Sequence, residues 1–159
     1  MRQNDRGRKR LMLLGLRNIA QAKDNFRELL FYDIDRPIGI NDIGFIESMC
    51  QSSKLSYLLF TTKHGAHFIC LTPLIKTRWA MLFDTLQLHF GSYYAGKTIR
   101  ISRKKDEIQN LLSSNTEYGE VIPNLYNLYA SRFNYQKLLW EKATSKYLLH
   151  FEKYRSLNE

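Results

Sequence analysis

Between residues 28 and 102 the period of the apolar side chains switches repeatedly between two and three-to-four, and this constrains the fold more than any other property of the chain. Residues 28–35 (ELLFYDID) alternate as a strand does, with Leu30, Tyr32 and Ile34 on one face and Phe31, Asp33 and Asp35 on the other. Arg36-Pro37 ends the run, because proline has no N–H to donate to a ladder. Asn41 or Asp42 then caps a helix whose apolar positions Ile43, Ile46, Met49 and Cys50 follow helical spacing as far as Ser52-Ser53. Residues 55–62 (LSYLLFTT) and 66–72 (AHFICLT) are strands joined by Lys63-His64-Gly65, a short hairpin turn in which glycine is free to adopt a positive φ. After Pro73, residues 75–90 place Trp79, Leu82, Phe83, Leu86 and Phe90 on one stripe of a second helix, which Gly91 ends. Residues 98–102 (TIRIS) alternate again, with Ile99 and Ile101 inward and Thr98, Arg100 and Ser102 outward.

The order strand, helix, strand, strand, helix, strand predicts an α/β (α+β) chain with a ferredoxin-like or RRM-like β-α-β-β-α-β core over residues 28–105. In that topology the first and third strands are central neighbours and the fourth lies beside the first. The helices cover one face, and the other is open to a ligand or to extra helices. Leu11, Leu14, Ile19 and Ala22 among charges predict an N-terminal helix over residues 10–25, ending at Asp24-Asn25. Residues 106–112 read as a short helix and 113–119 as a polar loop. Residues 123–157 read as one or two helices through Leu125, Leu128, Leu139, Ala143, Tyr147, Phe151 and Tyr154, so that 106–159 form a helical C-terminal part. At 159 residues the chain has the size of a single domain that buries a core without disulfides or metal.

Formal charge is +9, and the cations are bunched. Arg2, Arg6, Arg8, Lys9 and Arg10 lie in a basic N-terminal stretch over residues 1–10; Lys97, Arg100, Arg103, Lys104 and Lys105 form a second cluster. Such clusters suit a polyanion, because each neutralised phosphate releases condensed counterions. The plainer reading of the first cluster is a solubilising, loosely held terminus; the second, on a strand and its exit, points to phosphate contact. Acidic membrane lipid is a poorer match, since neither a long basic amphipathic helix nor a lipidation signal accompanies the charges. The apolar run 11–16 is broken by Gly15 and followed by Arg17, too short for a signal-peptide core or a membrane span. Cys50 and Cys70 show no metal-ligand or redox spacing and read as buried thiols in a reducing compartment. The expected location is the cytoplasm, or the nucleoplasm of a eukaryote.

Asp33 and Asp35 are the sharpest chemical feature. Two carboxylates two residues apart on a strand project to one face, and hard oxygen donors there suit Mg²⁺ or Mn²⁺. The plainer reading is a pair of strand-end acids that cap a turn or pair with Arg36. An apolar strand seldom carries two acids onto a sheet face without a partner for them, because desolvating a charge is costly. The neighbouring fourth strand offers Arg100, with Thr98 and Ser102, across the same face. His67 opens the strand beside the aspartates and is suited to a phosphate; as a lone strand histidine it is otherwise an ordinary hydrogen-bonded residue. His64 is a solvated turn residue or a minor nucleic-acid contact, and His89 and His150 carry no assigned role.

In these residues the chain resembles the archaeo-eukaryotic primases, including the primase-polymerases of plasmids and viruses. Residues 31–37 (FYDIDRP) are similar to the family's Asp-x-Asp strand, and residues 61–71 (TTKHGAHFICL) look like its small-residue turn leading into a histidine strand. The resemblance implies a nucleotidyltransferase acting on a DNA or RNA template, with Asp33 and Asp35 holding Mg²⁺ or Mn²⁺. It also implies that Lys63 and His67 contact the nucleoside triphosphate. Arg100 is placed to bind phosphate, and Arg103, Lys104 and Lys105 to bind the nucleic acid. The pattern departs from the family on the later strand, where 98–102 has no third carboxylate; Asp106 and Glu107 lie just past it, and Asp84 sits on a helix.

A competing reading is a non-catalytic nucleic-acid-binding module of the same topology, with Phe31 and Phe68 stacking on bases. A tyrosine-dependent nicking initiator is a third, and His64-Gly65-Ala66-His67 has the wrong spacing for its metal strand. The aromatic C-terminal segment, with Tyr126, Tyr129, Phe133, Tyr135, Trp140, Tyr147 and Tyr154, covers the sheet or its helices, or else docks a protein partner.

Overall fold

The computed structural model describes residues 12–91, 95–100, 110–118 and 147–155. Nine strands and two helices are found among them, in a mixed α+β arrangement with two antiparallel sheets. In chain order they are β1 (Met12–Ala22), β2 (Asn25–Glu28), β3 (Phe31–Ile34), α1 (Ile40–Ser53), β4 (Tyr57–Thr61) and β5 (Ala66–Cys70). There follow α2 (Lys76–Phe90), β6 (Ala95–Gly96), β7 (Thr98–Arg100), β8 (Leu111–Asn115) and β9 (Leu148–Arg155).

The five-stranded sheet runs β6-β3-β5-β4-β8, and the expected β-α-β-β-α segment forms its centre. β3 pairs with β5 from Phe31↔Ile69 to Ile34↔Ala66, and β4 pairs with β5 from Tyr57↔Cys70 to Thr61↔Ala66. The alternation read from the sequence divides the sheet's two faces as expected. Leu30, Tyr32, Ile34, Leu59 and Phe68 face the helices, where they pack with Ile46, Met49, Leu82, Leu86 and Phe90. Completely burying each such side chain contributes about 1.5–3 kcal/mol. Helix α1 starts at Gly39, and Asp42 acts from its first turn by accepting the Gly39 N–H (2.9 Å), so neither Asn41 nor Asp42 is the cap residue itself. Lys54 closes it in the left-handed region (φ 54°), and Gly91 closes α2 at φ 88°.

The second sheet departs from expectation. Residues 12–22 form a strand rather than an N-terminal helix, and β1 turns at Lys23-Asp24 into β2, with Lys23 at φ 50°. β9 pairs with β1 from Met12↔Arg155 to Gln21↔Leu148, so the described end of the C-terminal part is strand, not helix. Leu111–Asn115 is likewise a strand, pairing with β4, where the end of a short helix and a polar loop were expected. These segments carry weak local periodicity, and ladder pairing with distant residues overrides it.

Nor do the described residues of the expected fourth strand, 98–100, lie beside β3. Only Ala95 and Gly96 pair there, and Thr98–Arg100 crosses to pair with β1, from Gly15↔Arg100 to Arg17↔Thr98. The expected open sheet face is therefore covered by strands. Leu16, Ala20, Ile99 and Leu149 of the four-stranded sheet pack against Phe31, Leu58, Phe60 and Ile69 of the five-stranded one. The result is three layers: sheet, sheet, helices. Residues 1–11, 92–94, 101–109, 119–146 and 156–159 lie outside the described residues, and with them the N-terminal basic cluster, Ser102, Arg103, Lys104, Lys105, Asp106, Glu107 and most of the C-terminal aromatic segment. Among the described residues no helix is long and apolar enough to cross a membrane.

Candidate functional site

The face of β3 that carries Phe31 and Asp33 turns toward the four-stranded sheet. Asp33 sits directly opposite His67 in the β3–β5 register, so both side chains rise from the same face. His67 Nε2 lies 3.4 Å from Asp33 Oδ1, with the carboxylate half exposed and the imidazole about one-quarter exposed. Beside this pair the chain leaves β6 for β7, and the crossing opens a pocket of about 100 Å³. Asp33, His67, Thr98 and Arg100 line it, over a base that includes Phe31 and Ile99. Sites enclosing a drug-sized ligand measure roughly 300–1,000 Å³, so this one has room for a phosphate-sized group rather than a whole nucleotide.

Asp35 stands apart. β3 ends at Ile34, and Asp35 is exposed one residue beyond it and does not line the pocket, so the two aspartates do not share one rigid strand. β5 begins at Ala66, opposite Ile34, so Asp35 lies beside the turn that precedes β5. Thr62 N–H donates to Gly65 O (2.9 Å), and Gly65 N–H donates to Thr62 Oγ1 (3.0 Å), closing a tight turn over Lys63-His64. A Cβ on Gly65 would lie 1.8 Å from Ile34 O and 2.9 Å from Arg36 O. Glycine is needed there for this close approach and not for a positive φ, since Gly91 is the described glycine with that conformation. Lys63 is exposed on this turn and lies outside the pocket. His64 is exposed as well.

Arg36 binds a third aspartate, Asp42. Its guanidinium binds Asp42 in bidentate fashion, Nη1 to Oδ2 and Nη2 to Oδ1, each at 3.0 Å, and lies 5.1 Å from the Phe90 ring centre. His89 Nε2 sits 2.9 Å from Asp42 Oδ1, and its ring stacks on Phe45 with centroids 3.9 Å apart. The Arg36 guanidinium hydrogen bonds hold the Asp42 carboxyl well below the usual carboxylate range, against the opposing effect of desolvation. Sequence reading assigned His89 no role, and the only available signal was an Arg-Pro followed by an acid in a helix's first turn.

A carboxylate that the sequence reading missed comes from β9. Glu152 stands opposite Gly15, whose other neighbour is Arg100, and it accepts a hydrogen bond from the Thr98 hydroxyl (3.0 Å) while Arg17 Nε lies 3.5 Å away. Reading 123–157 as helix hid it. It does not join Asp33 and His67 in a metal-binding cluster: among the described residues no three His, Cys, Asp or Glu side chains come together in that way. The two cysteines are buried, and desolvation pushes both thiols up, Cys70 to about 12. Phe31 and Phe68 are only 4% and 0% exposed, so neither is presented for stacking on a base. No protein-family model matches the chain, and neither a curated protein nor a solved structure is significantly similar to it.

Proposed function

We propose that this chain is a primase-polymerase-like nucleotidyltransferase acting on a nucleic-acid template with a divalent metal, and that the pocket beside β3 receives the phosphates of the incoming nucleotide. The single observation that carries the reading is the convergence of Asp33, its cross-strand partner His67, and Arg100 on one pocket. An arginine fork matches phosphate oxygens, and an imidazole donates to a third. The half-exposed Asp33 carboxylate is a hard oxygen donor of the kind Mg²⁺ accepts. Mg²⁺ usually binds through one or two carboxylates together with substrate phosphates and water, so Asp33, with Asp35 just beyond the strand, fits such an open site better than a closed protein cage. When bound, the ion would neutralise the triphosphate's charge. Lys63, on the turn against Asp35, would meet the outer phosphates, and Arg103, Lys104 and Lys105 the template.

The finer fold reading belongs to the same proposal. β3-α1-β4-β5-α2-β6, with both helices on one face, corresponds to a ferredoxin-like or RRM-like core. The sheet order differs from a simple fold of that kind because β8 extends it past β4 and β7 leaves for the second sheet. The non-catalytic module of the same topology is the weaker alternative, since the aromatics it would use are enclosed in the two cores.

Primer synthesis and extension on single-stranded templates, measured with Mg²⁺ or Mn²⁺, test the proposal. Asp33→Ala and His67→Ala are each expected to lower the rate by roughly 10²–10⁴-fold, and Arg100→Ala to raise KM for the nucleotide. Undiminished synthesis in Asp33→Ala would overturn the mechanism. Salt-sensitive binding that ignores metal, with no synthesis, would assign the chain to the binding module instead.

A further inference from the structure

On the opposite side of the five-stranded sheet from the Asp33–His67 pocket, α1 and α2 leave a groove between them of about 610 Å³. Its floor is apolar, with Met49, Leu55 and Leu82. Along its α2 wall, Arg78, Met81 and Thr85 fall at spacings of three and four, the stripe along which one helix packs on another. Met81 is 70% exposed, and Arg78 and Thr85 are exposed with it, so this stripe faces solvent. Methionine walls suit a surface that accommodates an inserted helix, because the side chain is flexible and polarisable.

The charge of the groove selects among occupants. Among the described residues that line it none is acidic, while Lys54 and Arg78 stand together at one end, where Arg78 donates to the Ser53 carbonyl at the close of α1. Ser48, Ser52 and Thr85 add hydroxyls. A second copy of a chain with a formal charge of +9 brings repulsion to such a surface, whereas an acidic partner is attracted by both the cationic end and the whole molecule.

We infer that the groove between α1 and α2 docks an acidic amphipathic helix of a partner protein, its apolar anchors seated against Met49, Met81 and Leu82 and its carboxylates beside Lys54 and Arg78. This mode of recognition uses anchors spaced by three, four and seven residues.

The probe is a labelled peptide of about 15 residues, roughly four helical turns, rich in Glu and carrying Leu at those spacings, titrated against the full chain by fluorescence anisotropy. The acidic apolar peptide is expected to bind, with affinity roughly tenfold weaker when its Leu anchors become Ser, or its Glu become Lys. Met81→Glu and Lys54→Glu, both at exposed positions, are each expected to weaken binding by a similar factor, with circular dichroism verifying that the variants remain folded. Equal binding of the Leu-to-Ser peptide would reduce the effect to general electrostatics and overturn the docking site, as would unchanged binding by Met81→Glu or displacement of the peptide by a small anion such as inorganic phosphate. Asp33→Ala leaves this face intact and is expected to bind the peptide normally, so loss of synthesis and loss of docking are separable outcomes.

Discussion

At Asp42 three groups from helix α2 and the loop before α1 converge on one carboxylate: the Arg36 guanidinium, the Gly39 N–H and His89 Nε2. Asp42→Asn removes the charge-assisted bonds while preserving side-chain volume, and is expected to cost about 2 kcal/mol at neutral pH, lowering the melting temperature by about 4–8 °C. The sign of the pH dependence follows from the carboxyl's depressed pKa: its stabilisation is fully present above the ordinary value of 3.8 and is lost as pH falls through the lower folded value. The gap between wild type and Asp42→Asn should therefore persist down to about pH 4 and close in stronger acid, which thermal melts across that range will check. Two glycines give opposite expectations. Gly65→Ala drives a methyl into Ile34 O and should cost about 2–3 kcal/mol while displacing the Lys63 turn from Asp35. Gly44→Ala, within α1 and with nothing inside 4 Å of a new Cβ, should stabilise by about 0.5–1 kcal/mol. Chemical denaturation of both variants measures the contrast; a neutral Gly65→Ala would show that the turn is not pressed against β3.

Among the elements, β3, β5 and α2 were legible because each carries one strong period bounded by a breaker. That the strands of Asp33 and His67 are neighbours followed from that alone, since a strand, helix, strand, hairpin, strand order makes the first and third strands adjacent; their register, with Asp33 opposite His67, did not. Asp35 falls outside the strand because alternation does not say where a ladder stops; β5 begins at Ala66, opposite Ile34, and offers no further residue to pair. β1 was misread as a helix because Leu11, Leu14, Ile19 and Ala22 mimic helical spacing. Its true inward positions, Leu16 and Ala20, are 1% and 0% exposed and four residues apart across a bulge in the β1–β9 register. Ala20→Glu, which forces a charge between two sheets, is expected to destabilise by more than about 3 kcal/mol, whereas Gln21→Glu next to it should be nearly neutral. Comparable stability of the two variants would contradict the strand assignment.

Across the whole molecule, the second sheet joins the described start of the chain to its described end. β1 is paired on one edge by β9 and on the other by β2 and β7, so each partner comes from a different stretch of sequence. Removing residues 147–159 strips β9 from β1, takes Tyr147 and Leu149 out of the inter-sheet core, and leaves an unpaired edge. The truncated protein is expected to aggregate or to lose its cooperative thermal transition, measured by light scattering and circular dichroism. A sharp transition near the wild-type temperature would mean that β9 contributes little.

The sequence by itself determined the central β-α-β-β-α segment, its two faces, and that the strands carrying Asp33 and His67 are neighbours, because local periodicity, proline and glycine stops and the rules of strand connection act over short stretches of chain; the register that sets the two side chains opposite each other came from the structure. Only the tertiary structure decided that the opposite sheet face is covered by strands, that 98–100 leaves β3 for β1, that Glu152 comes near Thr98, and that Asp42 gathers Arg36 and His89. Those outcomes rest on hydrogen bonds and packing between residues tens of positions apart, which no local pattern encodes.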